Sequence, residues 1–445
     1  MSETIEVSRE DKSRARKAVV AAGLGNALEW YDIILFGFMA TSITAVFYPG
    51  EGLSAQLMTW ATFAITFVVR PLGAILIGRY SDKHGRKSAL SLTIGLMTLG
   101  VFIIVVLPGE ATIGIWGAIG LIIARIIQGI SAGGEGGSAV LLAVEHAPVE
   151  KRGLFGAGPQ AGAPAGLLLS SGMLALMSMI APGDAFIEWG WRIPFLLSIG
   201  LMILGFWIRS GVDESPVFAE IAQIAEQKRA NPLGELLRNY FPVVFVGALV
   251  FAGNGVVGYM IAGGYVQSWA VNDLGMDRGA VLWAVTGAAV TWLISGVLAG
   301  GISDRIGRRN TYLVGFLIQA VAAAALFPLV QNGLLWPAML LLGVGLGVTY
   351  GQQAALYAEL FPASVRGSGA SITYALGSIL GGAFAPTIAA AVVQATGSTV
   401  GVTAYLLVAT FIGLLAAASL RDRTGIPLGP EHEAEQAERH FTLSR

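Results

Sequence analysis

The sequence has no cysteine among its 445 residues, and Asp, Glu, Lys and Arg together make up only 12% of it. Without cysteine there is no disulfide framework and no thiolate for metal or redox chemistry, although the compartment stays open. A soluble domain is about one quarter charged, so this chain has roughly half the charge that covers a globular surface. Its net charge of -1 offers no basic field to a nucleic acid. The four histidines, His84, His146, His432 and His440, are scattered, and no spacing suggests a metal site. The Gly-rich GGEGG at 133–137 is no phosphate loop, because no Gly-Lys-Ser/Thr follows it. A water-soluble enzyme is excluded, and a membrane-embedded one would need a catalytic cluster that the sequence does not show.

What the sequence has is apolar residues, 55% of the chain, in runs of about twenty, the length that spans the hydrocarbon core of a bilayer. Breaks of charge, Gly and Pro delimit twelve spans, near 19–41, 56–77, 89–107, 115–141, 154–181 and 190–208, then 241–266, 279–301, 311–330, 335–358, 367–394 and 400–419. The charged start, Met1 to Lys17, resembles a signal peptide. The run behind it contains Glu29 and Asp32 and has no small-residue cleavage site, so it reads as a retained first span. The expected class is an all-α membrane protein of twelve transmembrane helices in two six-helix halves. Residues 1–18 form an N-terminal segment, 19–208 the first half, 209–240 a central loop, 241–419 the second half and 420–445 a tail. Within the loop, ESPVFAEIAQIAEQKRANP reads as an amphipathic interfacial helix stopped by proline.

Of the 27 Lys and Arg residues, 23 fall in segments that are cytoplasmic if the N-terminus is. Arg192 and Arg278 fall in external loops, and Arg70 and Arg125 within spans. That bias puts both termini in the cytoplasm of a multi-pass protein of the cell (inner) membrane. The loop after span two, GRYSDKHGRK at 78–87, is echoed by GISDRIGRRN at 301–310 after span eight. Parallel halves of this kind are the organisation of a rocking transporter. In the first loop Gly78 and Gly85 allow tight turns, Asp82 can accept backbone N–H groups at a neighbouring helix start, and Arg86 pairs with acids or helix ends. This loop resembles the G-x-x-x-D-x-x-G-R-[KR] signature of the major facilitator superfamily. The resemblance implies a conformational gate on the cytoplasmic side, made of Gly78, Asp82, Gly85 and Arg86 with Asp304 and Arg308 in the other half.

Span four contains LIIARIIQGISAGGEGG at 121–137. Its LxxxRxxQG segment resembles a second superfamily signature, whose arginine is associated with proton coupling. Arg125 cannot lose its proton and lies too deep to snorkel easily, so it needs an acid, a carbonyl or an anionic substrate. Glu135 lies on the same span. The glycines around it permit close approach of neighbouring helices. In span one, GNALEWYD places Glu29 and Asp32 at i, i+3 on one helical face near the midplane. Two readings stand for them: they exchange a proton with alternating sides of the membrane, or they neutralise Arg70 or Arg125. For Arg70 itself, eight residues before the loop glycine, snorkelling to the interface is expected.

Together, GNALEWYD, VVRPLGAILIGRYSDKHGRK, RIIQGISAGGEGG and WGWRIPF resemble the metabolite:proton symporter family within that superfamily, over nearly the whole chain. The resemblance implies uptake of a small organic solute with protons, and PQAGAPAGLLLSSG at 159–172 is nearest in look to shikimate and 2-oxoglutarate type carriers. Osmolyte carriers for proline and betaine are an alternative, set back by a tail that ends soon after span twelve. A proton-driven efflux antiporter is a second alternative, which GPQAG at 158–162 only partly matches, so that element reads as a Pro/Gly hinge. A transporter-like sensor would need a signalling domain. Proton coupling is expected from Glu29, Asp32, Arg125 and Glu135. The second half's spans, free of acidic and basic side chains, carry amides and phenols, so Asn254, Tyr259, Gln352 and Gln353 are expected to join Gln160 and Arg125 in the substrate site. The expected partners are a small organic carboxylate, protons and the bilayer. No cofactor is expected beyond the proton gradient, no metal and no nucleic acid, and the carrier is expected to work as a monomer.

Overall fold

The computed structural model describes residues 9–48, 53–84, 86–135, 138–145, 147–210, 232–438 and 440–442. Among the described residues, ten helices are long and apolar enough to cross a bilayer. Gly25–Phe38 with Ala40–Phe47 makes an eleventh, bent by 62°, and Ser91–Val106 is the apolar part of a twelfth. The fold is therefore all-α, with twelve spans in two six-helix halves. Among the described residues the sole β pairing is an isolated bridge between Leu420 and Phe441.

The first half is built from Arg9–Phe38 with Ala40–Phe47, Leu53–Val68 with Arg70–His84, Arg86–Val106, Ile115–Glu135, Arg152–Gln160 with Gly162–Ile180, and Arg192–Ser210. The second is built from Phe241–Ala262, Arg278–Ile306, Arg308–Gln331, Leu335–Tyr350 with Gln353–Leu360, Arg366–Ser378 with Ala385–Thr396, and Val400–Ser419. These are spans one to twelve below. Local signals set their limits. Asp277 caps span eight by accepting the Ala280 N–H at 2.8 Å. Gly307, at φ +92°, ends that span, and the next helix starts at once with Arg308. In span eleven a π turn, Ile379–Ala383, precedes Pro386, whose missing N–H disrupts the regular ladder.

Large apolar side chains such as Trp116, Met179, Trp207, Val321 and Phe411 stay exposed on the outer surface, the face that hydrocarbon chains cover. The interior is closed by small residues. A methyl group on Gly129 or Gly133 of span four would collide with the carbonyls of Thr66 or Arg70 in span two, so these glycines let two backbones touch.

Three departures from the sequence expectation matter for function. Span one does not stop near residue 41: it bends at Met39 and continues to Phe47. Span seven is also interrupted, at Gly263 and Gly264 (φ +79°), and resumes as Tyr265–Asn272. Span ten runs on to Leu360 and so includes Glu359, which makes the second half less free of charge than its composition suggests. Of the central loop, Pro232–Asn239 is described and helical, and 211–231 lie outside the described residues.

Candidate functional site

The two acids on one face of span one meet different cations. Glu29 accepts from Arg70 Nη2 at 3.0 Å. Asp32, completely buried, accepts from Gln128 Nε2 at 2.6 Å and from the Ser198 hydroxyl at 3.3 Å. Arg125, also completely buried, donates through Nη1 to Gln128 Oε1 at 2.9 Å, so the amide stands between arginine and carboxylate. Its guanidinium lies 4.0 Å from the centre of the Phe36 ring. Burial without a partner would cost several kcal/mol per ion, which is why each charge sits against an opposite charge or a dipole.

Arg70 overturns the snorkelling expectation. It is 3% exposed, lies 4.8 Å from the centre of the Phe67 ring, and is within electrostatic reach of Tyr259, Tyr350 and Tyr374 from the opposite half. The pull of Glu29 and the break of span two at Val69 turn it inward. Around this ion pair the aromatic rings close. Tyr259 packs on Trp30 at 5.8 Å and on Phe67 at 5.1 Å, Trp292 on Tyr350 at 5.6 Å, and the hydroxyls of Tyr350 and Tyr374 are 3.4 Å apart. Among the described residues, the Tyr259 hydroxyl, Trp292 Nε1, Gln352 Oε1, Gln353 Nε2 and Arg70 Nε are buried without a hydrogen-bond partner. Groups of that kind are costly to bury, and a polar ligand would satisfy them.

The remaining expected substrate residues are dispersed. Gln352 donates to the Val348 carbonyl at 2.9 Å where span ten breaks, with Gln353 beginning the next helix. Gln160 is buried at the interruption of span five, beside Pro159, whose carbonyl accepts from Asn26 at 2.8 Å. Asn254 donates to Thr349, and Gln319 donates to the Gly253 carbonyl at 2.8 Å and the Thr410 hydroxyl at 2.9 Å, so this network ties spans seven, nine, ten and twelve together. Only the helical backbone is described at Gly78, Asp82, Arg86 and Glu135, and Gly85 lies wholly outside the described residues.

Contacts between the halves are described on both sides. On the side that carries the tail, Asp304 of span eight accepts the N–H groups of Gly153 at 2.7 Å and Leu154 at 3.0 Å, at the start of span five in the other half. Arg308 holds Asp304 at 2.7 Å and Glu359 through two donors at 3.0 and 3.1 Å. Arg366 reaches across to Glu145 at 3.2 Å. On the far side, the breaks of spans one and seven meet: a methyl on Gly37 would collide with the carbonyl of Ala262, and Trp60 Nε1 donates to the Gly263 carbonyl at 3.3 Å. The described contacts thus join the two halves on both sides of the buried polar groups.

The Major Facilitator Superfamily profile matches residues 33–386 and, in a second match, 243–443. This chain belongs to the major facilitator superfamily. As a transporter of that superfamily it is 33% identical to the shikimate transporter of Escherichia coli (strain K12), over 95% of this chain and 99% of that one. It is 38% identical to the inner membrane metabolite transport protein YhjE of the same organism, over 84% of this chain and 87% of that one. With the proline/betaine transporter of Salmonella typhimurium it shares 32% identity over 95% and 87%. The structure of the proton:xylose symporter XylE bound to 6-bromo-6-deoxy-D-glucose superposes with a TM-score of 0.76 at 20% identity, covering 96% of this transporter and 99% of that chain, which establishes a common fold.

The sequence reading missed Arg70, Gln128, Ser198, Trp30, Tyr350 and Tyr374 as site residues. Five left a trace: Arg70 as an arginine within a span, Trp30 and Gln128 inside the quoted GNALEWYD and LxxxRxxQG segments, and Tyr350 and Tyr374 among the polar side chains of otherwise apolar spans. Ser198 left none, because only packing puts it beside Asp32.

Proposed function

We propose that this transporter is a symporter that carries a small organic carboxylate into the cell with protons, by alternating access, with both termini cytoplasmic. One observation carries the reading: the first half holds two buried acid–arginine groups, of which one, Glu29 with Arg70, faces the phenols of the second half and the other, Asp32 with Gln128 and Arg125, does not. The first is suited to bind and the second to carry a proton. Arg70 offers the substrate carboxylate a planar fork, Tyr259, Tyr350 and Tyr374 offer hydroxyls, and the rings of Trp30 and Phe67 cover the apolar remainder. Gln352 and Gln353, at the break of span ten, keep Oε1 and Nε2 without a hydrogen-bond partner among the described residues and are offered as further polar contacts. An entering proton offsets the anion's charge and adds the free energy of its gradient.

A second reading is favoured by Glu29 itself. An acid beside an arginine, under Trp30, Phe67 and Tyr259, also suits a zwitterion with an ammonium among the rings. The proline/betaine transporters among the relatives are in keeping with it. Proteoliposomes with an imposed inward proton gradient separate these readings, with shikimate, 2-oxoglutarate, betaine and proline as probes. Carboxylate accumulation that a protonophore abolishes supports the first reading, and a response to betaine and proline alone overturns it in favour of the second. Solute expulsion in exchange for protons overturns both.

A further inference from the structure

Gln128 presents its two amide atoms to opposite charges: Nε2 donates to Asp32 Oδ2 at 2.6 Å, and Oε1 accepts from Arg125 Nη1 at 2.9 Å. An amide can serve a carboxylate and a guanidinium together only in this orientation. A proton added to Asp32 Oδ2 turns that oxygen from an acceptor into a donor. The amide then faces a donor with its own N–H groups, among side chains that are all buried, where a mismatched donor pair is costly. Rotating the amide by half a turn about its Cγ–Cδ bond restores the contact, since Oε1 then accepts from the Asp32 O–H. The same rotation sets Nε2 against Arg125 Nη1, donor against donor.

We infer that Gln128 is a positioning residue that makes proton loading of Asp32 and release of Arg125 one event, and so switches the site toward an anionic ligand. Arg125 is poised for this. Among the described residues its Nε and Nη2 are already without a hydrogen-bond partner, and only the Gln128 contact holds Nη1. Once released, it is a buried cation beside the Phe36 ring with no neutralising carboxylate, and its charge favours entry of an anion that Arg70 binds. The proton itself ends on Asp32, no covalent bond breaks, and Ser198 continues to donate to Oδ1.

The surroundings leave this switch undisturbed. Span four faces Asp32 with Arg125 and Gln128, and span six with Ser198. Span two contributes Arg70, which Glu29 already engages, and Gly162–Ile180 of span five has no charged residue. From span one itself come Glu29 and Tyr31, whose hydroxyl donates to the Pro194 carbonyl at 3.0 Å, and from span seven Tyr259, packed on Trp30. The inference rests on the proposed proton coupling, but its test needs no substrate.

The test is infrared difference titration of the purified protein in lipid nanodiscs. The carboxylic-acid C=O band that Asp32→Asn removes reports the proton, and the guanidinium band that Arg125→Met removes reports the arginine. In the wild type both bands should move over the same pH range. In Gln128→Leu the acid band should persist to pH higher by about one unit, because the carboxylate has lost a charge-assisted donor, and the guanidinium band should no longer follow it. Gln128→Met, which keeps the length and has no amide and no titrating group, should likewise leave the guanidinium band still while the acid band moves, and it answers the question if the leucine variant does not fold. A guanidinium band that stays still while wild-type Asp32 titrates, or that moves equally in Gln128→Leu, overturns the inference. Transport failing altogether would overturn the proposed function and leave these spectra as they are.

Discussion

Glu29 and Arg70 form a 3.0 Å ion pair between spans one and two, and the arginine lies within electrostatic reach of three tyrosines of the opposite half. Removing one partner of a buried pair leaves an uncompensated charge, which costs about 3–5 kcal/mol. Arg70→Gln and Glu29→Gln should each lower the melting temperature in detergent, and the double variant should recover most of that loss. Carboxylate uptake should stay at least about tenfold down in the double variant, because losing one charge-assisted contact to the substrate costs about 1.5–3 kcal/mol. Wild-type uptake in a stable double variant would remove Arg70 from the substrate site.

Asp304 does three things at once: it caps the start of span five, pairs with Arg308, and joins the halves on the tail side. Asp304→Asn removes the charge that favours a helix N-terminus and weakens the Arg308 contact. The form joined on this side should become less populated, by about tenfold for each 1.4 kcal/mol lost. Because the chain has no cysteine, Ala157→Cys, buried beside Gly300, reports opening directly. Its maleimide labelling should be about tenfold faster in the Asp304→Asn background, and an unchanged rate would show that the cap does not hold this entrance.

The fold was legible because a bilayer imposes length and apolarity on every span, and both are properties of composition. Asp304 and Arg308 were legible for a similar reason, since the loop pattern repeats at equivalent places in the two halves. Arg70 was misread because depth along a span, estimated from the nearest loop, says nothing about which way a side chain turns, and the pull of Glu29 decided that. Asn254 has the residue type of a binding group, yet its donors are already used within the second half. The bend at Met39 and the break at Gly263 came without a proline, and only the contact between spans one and seven accounts for their matching depth.

That contact on the far side leads to a further expectation. Gly37 and Gly264 lie against each other's backbones, and Gly264 also has a φ of +79°, where a side chain is strained. Gly37→Ala should therefore prevent closure of this side while leaving each half intact. Spin labels placed on Val46 and Asn272 should give a longer mean distance in Gly37→Ala, and substrate counterflow should fall by at least about tenfold, the effect of about 1.4 kcal/mol on the closed population. A wild-type distance distribution would mean that the helices slide to absorb the methyl.

The tail docks on the same side as the Asp304 contact and ties both halves. Arg152 of the first half donates to the Ile426 carbonyl at 2.5 Å, Arg366 of the second to the Leu428 carbonyl at 3.0 Å, and the buried Gln436 accepts from the Ala363 N–H at 2.8 Å. Its last turn holds His440, whose backbone carbonyl accepts from the Arg421 N–H at 2.9 Å and whose ring packs on Tyr240. Burial pushes the His440 imidazole down from 6.5 to about 4, and the nearby Arg423 charge adds to that. A group depressed in this way favours docking fully above its free value and opposes it increasingly as pH falls from 6.5 toward about 4, where the undocked ring takes a proton that the docked one refuses. A spin label on Glu433→Cys should thus be immobile at neutral pH and gain mobility across that acidic range. In His440→Phe the label should stay immobile throughout, and equal mobility changes in both proteins would place the pH dependence on another group.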